Sequence, residues 1–450
     1  MGNIYANAAC TIAATAAKDS RGGLFHERSA KLLGPRRADF DKQGSWPEDM
    51  HTELCLTGSY VYDVHHLAQV CIERAPLNQR AWVSQERQLS RRLLHFTGTQ
   101  LFWECNESQA CEAYPNGLPL WVRSFWRYDA TSLKKRVRNL MRSEEALAGG
   151  SAPTCVAQSL DDKTYWAWLT FRDQYSAAAL TYRTDKLVAI QGIVNWIRIV
   201  RDSQFMAGLW LSHINEELCW TEAYSRTEPH HSSTPKVWIA PTWSWACSDA
   251  EIHRSMLFKF HYKHANTRRE AAVVDPDVEA QISGQPESVL LKVRCRPLLA
   301  KVTSLTIELF NSRGKLLNRI VSHGGEFPAI QFHKDGGGWV FSAAPEDAYM
   351  IVLQRCLHRN HFETSDGIER SGSEERGGLA SDVDDEFDED TETTSFYRES
   401  DCIEALVVRA VDSATDRFER VGLCRLFGSR AVGKIMESHC LAEEKVITLV

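Results

Sequence analysis

Arg80-Ala-Trp-Val-Ser-Gln-Glu-Arg-Gln-Leu-Ser-Arg-Arg-Leu-Leu-His-Phe96, with Gln100-Leu-Phe-Trp-Glu-Cys105 close behind it, decides how this chain is read. Pro76-Leu77-Asn78 opens a helix, and residues 80–89 contain neither Gly nor Pro to interrupt it. Leu93–Phe96 and Gln100–Cys105 then read as strands. Upstream, Cys10-Thr-Ile-Ala-Ala-Thr15 is a short strand-like run. Ser59-Tyr-Val-Tyr-Asp-Val64 alternates with period two, as a half-buried strand does. Between them Gly22, Gly23, Gly34, Pro35, Gly44 and Pro47 mark irregular chain. Helix and strand are thus mixed over the first 110 or so residues, as in an α/β domain.

Further along, the texture changes twice. Residues 117–225 carry apolar stripes at helical spacing: Trp121–Tyr128, Tyr165–Tyr175, Lys186–Val200 and Phe205–Trp220. Such stripes are the core faces of helices. After Pro241-Thr-Trp-Ser-Trp-Ala246, short strand-like runs dominate: Val289–Arg294, Ala300–Ile307, Tyr349–Leu353, Ala405–Val408 and Val421–Phe427. Three regions are expected: an α/β part over 1–112, a helical region over 113–250, and a β-rich C-terminal region over 251–450. No internal repeat is present.

Composition narrows the classes. The chain has 450 residues, 43% hydrophobic and 25% charged, with 14 Trp and 18 Phe, which describes a packed globular protein of two or three domains. No apolar run approaches the ~20 residues of a membrane span, and no basic segment followed by an apolar one marks a secretory signal. Met1-Gly2-Asn3-Ile4-Tyr5-Ala6 departs from an N-myristoylation signal because Ala6 stands where Ser or Thr is needed. A cytoplasmic location without membrane attachment follows as the expectation. Thirteen cysteines without a C-x-x-C pair read as small buried hydrophobes rather than a metal site or disulfide framework. The net charge, 52 − 59 = −7, conceals one segment. Residues 363–399 hold 14 acids against three arginines, a local −11, leaving +4 for the rest. That acidic stretch is expected to be a disordered insert in the β-rich region.

The string at 80–105 resembles the R-x-W-x-x-Q-E-R-x-L-S-x-R-x-L-H-F string and the Phe-Trp-Glu-Cys strand of fungal heterokaryon incompatibility (HET) domain proteins. Gly2-Asn-Ile-Tyr-Ala-Asn-Ala8, Leu180-Thr-Tyr-Arg-Thr-Asp-Lys-Leu-Val-Ala-Ile-Gln-Gly192, Ala207-Gly-Leu-Trp210, Pro241–Ala246 and Arg420-Val-Gly-Leu423 also look like HET-protein motifs. The family's upstream Ser-Tyr-x-Trp-Gly and Trp-Ile-Asp strands have no counterpart, so the chain resembles a member lacking the usual amino-terminal part. The resemblance implies a partial TIR-like open sheet over 1–112, with ligands at the carboxyl ends of its strands. It also implies a role in non-self recognition and programmed cell death, with an unidentified protein partner or self-association. TIR domains that cleave NAD carry W-x-x-x-E on a helix before a strand. Trp82-Val-Ser-Gln-Glu86 matches that spacing. The resemblance therefore makes Glu86 the candidate catalytic carboxylate, Trp82 a candidate wall for the substrate NAD, and the chain either an NAD glycohydrolase or a non-catalytic interaction protein. A carboxylate aimed at an oxocarbenium-like centre is the usual device of glycosidic cleavage. The alternative reading places Trp82 in the core and pairs Glu86 with Arg87 or Arg91.

Other motifs weigh less. Gly428-Ser-Arg-Ala-Val-Gly-Lys-Ile435 nearly spells a phosphate loop, but Ile435 stands at the Ser/Thr position. His65-His66, His230-His231, His261/His264 and His358/His361 lack partners at a zinc-site spacing and read as solvated loop residues, so no metal is expected. The basic run Lys134–Arg138 lies on an amphipathic helix, where a solvated face is the expectation and nucleic acid is not. No G-x-S-x-G elbow is present.

Overall fold

A computed structural model describes residues 2–28, 36–37, 60–61, 71–118, 130–147, 162–201, 203–223, 238–254, 267–274, 289–302, 306–321, 330–334, 348–356, 401–412 and 416–450. The acidic stretch, the Trp121–Tyr128 stripe and the four histidine pairs lie outside these residues. The chain forms two compact units, residues 1–208 with 249–252, and residues 209–248 with 253–450.

The first unit mixes helix and sheet. A short helix α1 (Gly2–Asn7) leads into strand β1 (Thr11–Ala13). Helix α2 (Ala81–Leu89) precedes β2 (Arg92–Phe96), β3 (Leu101–Cys105) and β4 (Gln109–Cys111). The sheet order is β1-β2-β3-β4, with β1 parallel to β2 and the remaining pairs antiparallel. A parallel pair needs a crossover, and α2 supplies the helix of one. Burial alternates along β2 and β3, so Leu93, His95, Phe102 and Glu104 point inward.

Helices α3 (Ala130–Leu147), α4 (Asp162–Ser176) and α5 (Gln191–Val200) complete this unit, and α2 packs against all three. The helical stripes of Tyr165–Tyr175 and of 186–200 fall on α4 and α5 as their spacing requires. Trp168 is fully buried, tilted against Phe171 (centroids 5.7 Å) and edge-on to Phe205 (5.5 Å). The stripe at 205–220 is not one helix. Ala207 (φ 46°) and Gly208 (φ 96°) adopt left-handed backbone, which breaks any helix there. Only a 3-10 turn at Leu211–His213 and one α-turn at Ile214–Glu217 follow. α1 is also helical where no helix is expected from sequence. Of the strand read near residue 60, Tyr60–Val61 pairs antiparallel with Arg36–Arg37.

The second unit is β-rich, as the sequence indicates. Its strands are β5 (Thr267–Arg269), β6 (Ala272–Val273), β7 (Leu291–Cys295), β8 (Leu298–Val302), β9 (Thr306–Phe310), β10 (Leu316–Val321), β11 (Ile330–Lys334), β12 (Ala348–Cys356), β13 (Cys402–Asp412), β14 (Arg417–Phe427) and β15 (Lys445–Leu449). They form one 11-stranded sheet in the order β6-β7-β15-β14-β13-β12-β8-β9-β10, with β5 beside β12 and β11 beside β14. The run read as a single strand at 300–307 is two strands paired as a hairpin. Met350, Ile351, Val352 and Leu353 are all buried, so β12 is covered on both faces. Helix α6 (Ser429–Leu441) lays Val432 and Ile435 onto the sheet core. The phosphate-loop look-alike is therefore a strand-to-helix corner, and its Ile435 is a core residue.

Candidate functional site

Helix α2 carries both residues singled out by the W-x-x-x-E spacing, and its faces have different tasks. Trp82, Gln85 and Leu89, at i, i+3 and i+7, meet the Asp185–Gly192 stretch. The Trp82 indole N–H donates to Asp185 Oδ2 at 3.2 Å, and Gly192 N–H donates to Gln85 Oε1 at 2.7 Å. A Cβ at Gly192 would stand 2.4 Å from Gln85 Oε1 and 3.1 Å from Leu89 Cδ1, so any larger residue there would push the Gln85 carboxamide off its bond. Two motifs about a hundred residues apart are one docking surface. Trp82 is partly exposed and held by Asp185, so it is not the wholly buried core Trp of the alternative reading.

Glu86 lies on the same helix with another partner. The Tyr5 hydroxyl of α1 donates to its carboxylate, Arg80 adds an attractive charge, and half-burial outweighs both, holding the carboxyl above its ordinary range. It pairs with neither Arg87 nor Arg91. Its main chain is also tied toward the sheet. Ser90 Oγ donates to the Glu86 carbonyl at 2.7 Å and sits 2.8 Å from Thr11 Oγ1, the first residue of β1. Ser90, just past the carboxyl end of α2, thus sits at the amino end of β1, one helical turn beyond Glu86.

On the inner side lies a set of charges that sequence reading missed. Glu104 on β3, 2% exposed, takes a hydrogen bond from Arg87 Nε at 2.9 Å and has Arg87 Nη2 at 2.8 Å, the latter too oblique for a hydrogen bond. Lys134 Nζ of α3 is 3.5 Å from Glu104 Oε1 and also donates to the Arg87 carbonyl at 3.4 Å. His95 Nε2 faces Glu104 at 3.5 Å, while its Nδ1 lies 2.9 Å from the Thr15 hydroxyl. Glu73 takes the outer edge of Arg87 at 3.0 Å. The two buried cations hold the Glu104 carboxyl far below the usual carboxylate range against the desolvation that would raise it. Burial pushes His95 and Lys134 down, so His95 is neutral. With His95 neutral, two cations balance two carboxylates. Lys134 is only 1% exposed, so the basic run is not a wholly solvated face, and Arg138 lies over the Trp196 ring at 5.5 Å. Glu104 and Lys134 sit inside strand and helix patterns, and no local spacing signals their pairing.

A cavity of about 300 Å³ opens beside the far end of α2. It is lined by Tyr175, Arg183, Lys186, Asp249 and the 176–180 turn. Arg183 Nε donates to Asp249 Oδ1 at 2.6 Å, and the turn is tied to α2 by Ala81 N–H to the Ala179 carbonyl at 3.0 Å. Neither Trp82 nor Glu86 lines it. Among the described residues no group of three or more His, Cys, Asp or Glu side chains could hold a metal. None of the described helices is long and apolar enough to cross a membrane.

No curated protein and no solved structure gives a significant match to the chain. The family described as heterokaryon incompatibility protein (HET) matches residues 1–86, from α1 through β1 and into α2 as far as Glu86, so this part of the chain is similar to that family.

Proposed function

We propose that the chain serves heterokaryon incompatibility, the fungal non-self recognition that ends in programmed cell death, as an interaction protein rather than an enzyme. One observation carries this: the Trp82 indole is spent on Asp185 and the Gln85 amide on Gly192, so the motif face of α2 joins parts of the protein.

A second reading, TIR-like NAD hydrolysis, is favoured by the environment of Glu86. Its carboxyl is half-buried, raised by desolvation and oriented by Tyr5, as reactive carboxylates often are. In that reaction the ribose C1′ to nicotinamide nitrogen bond breaks and its electron pair neutralises the pyridinium. Water then bonds to C1′ and loses a proton, while the Glu86 carboxylate stabilises the developing positive charge.

Nicotinamide release from NAD separates the two. The interaction reading expects wild type and Glu86→Gln to match the protein-free rate. Release by wild type that falls ~10²–10³-fold in Glu86→Gln, with the fold intact by circular dichroism, would overturn it in favour of catalysis.

A further inference from the structure

Strands β12 and β13 are antiparallel neighbours, and their register sets Cys356 directly opposite Cys402. Opposed residues in such a ladder keep their Cα atoms ~4.5–5.5 Å apart, inside the ~4.4–6.8 Å that a disulfide spans. Both side chains are buried and pack with Phe427 in one small apolar cluster. Neither is in a disulfide. Among the described residues no other cysteine faces a cysteine across a ladder: Cys111 faces Phe102, Cys295 faces Lys445, and Cys424 stands between Phe332 and Ala405. The two thiols also bracket residues 357–401, the part of the sequence that contains the acidic stretch.

We propose that Cys356 and Cys402 are an oxidative modification site, closing to a cross-strand disulfide when hydrogen peroxide reaches them. Peroxide is small enough to enter a packed cluster that a peptide disulfide would not. One thiolate attacks a peroxide oxygen, the O–O bond breaks, and sulfenic acid and water result after proton transfer. The second thiol attacks that sulfur, expels the hydroxyl as water and leaves the S–S bond. In sum two thiols and one peroxide give one disulfide and two waters, with two electrons passing from sulfur to oxygen. Burial holds the Cys402 thiol well above its ordinary range, so its thiolate is scarce and closure is slow. The cross-link fastens the two strand ends that residues 357–401 join, and the constraint on the unfolded chain raises the stability of the sheet.

The test treats the intact chain with hydrogen peroxide, quenches with catalase, blocks remaining thiols in denaturant and digests with trypsin without reduction. Mass spectrometry then follows the peptides Cys356–Arg359 and Glu399–Arg409. The expected result is one linked species, two hydrogens lighter than the sum of the two peptides. Wild type is expected to gain several degrees in its unfolding midpoint on oxidation, and Cys402→Ala none. Cys10 and Cys440, which are exposed, report that peroxide has acted. Recovery of Cys356 and Cys402 as blocked thiols, or linked to other cysteines, once Cys10 and Cys440 are oxidised would overturn the proposal. The wild-type mapping decides the matter even where the variant folds poorly.

Discussion

Replacing Glu104 by Gln keeps the side chain's shape and removes the one carboxylate that answers both Arg87 and Lys134. In the native protein two buried cations face Glu104, with Glu73 taking part of Arg87 from the more exposed side. Removing one partner of a buried ion pair leaves an uncompensated charge and typically costs ~3–5 kcal/mol. Two features place this case at the lower end. Glu73 still meets Arg87, and Lys134, already pushed below its ordinary range by burial, can shed its proton. A loss of about 3 kcal/mol follows, which for a unit of this size lowers the unfolding midpoint by roughly 6–12 °C. The pH profile carries a second signature. Glu104 is held below the ordinary carboxylate value, so its stabilisation is present above about pH 4.5 and is lost as pH falls toward its folded value. The Gln variant therefore lacks that acid limb. It should also recover some stability at alkaline pH, because the folded chain then carries a neutral Lys134 while the unfolded chain still binds the proton. Thermal melts by circular dichroism from pH 3 to pH 9 measure both effects. A loss below about 1 kcal/mol, with the acid limb unchanged, would show that water screens these charges and that the cluster is not dry.

Two other outcomes test the docking of α2. Gly192→Ala drives a methyl against Gln85 Oε1 and breaks its 2.7 Å bond, costing ~1–3 kcal/mol. In Gln85→Ala/Gly192→Ala the two costs should be less than additive in urea melts, and full additivity would mean the residues do not meet. A fragment of residues 1–112 lacks Lys134 and the α3–α5 faces against which α2 packs, so it should be unfolded or insoluble. A well-dispersed NMR spectrum from it would contradict that packing.

Local pattern was enough for much of this protein. The strands Arg92–Phe96 and Leu101–Cys105, helix Ala81–Leu89, the aromatic helix ending at Ser176 and the β-rich C-terminal half all follow from period and from punctuation by Gly and Pro. The resemblance of residues 80–105 to HET proteins was legible because the string lies in one short run. The same local reading failed at 205–220, where the left-handed backbone of Ala207 and Gly208 overrides an apolar stripe. It also could not say what the string does. Trp82 meets Asp185 and Gln85 meets Gly192, each pair separated by more than a hundred residues. Glu86 meets Tyr5, Glu104 meets Lys134, and Cys356 faces Cys402 across 45 intervening residues. Periodicity fixes which face of a helix or strand is buried, because that depends on neighbours three, four or two positions away. Which buried side chains then meet depends on strand register and helix packing, where a one-residue slip turns every side chain to the other face. Those choices are made only when the chain packs, and tertiary structure alone decided them.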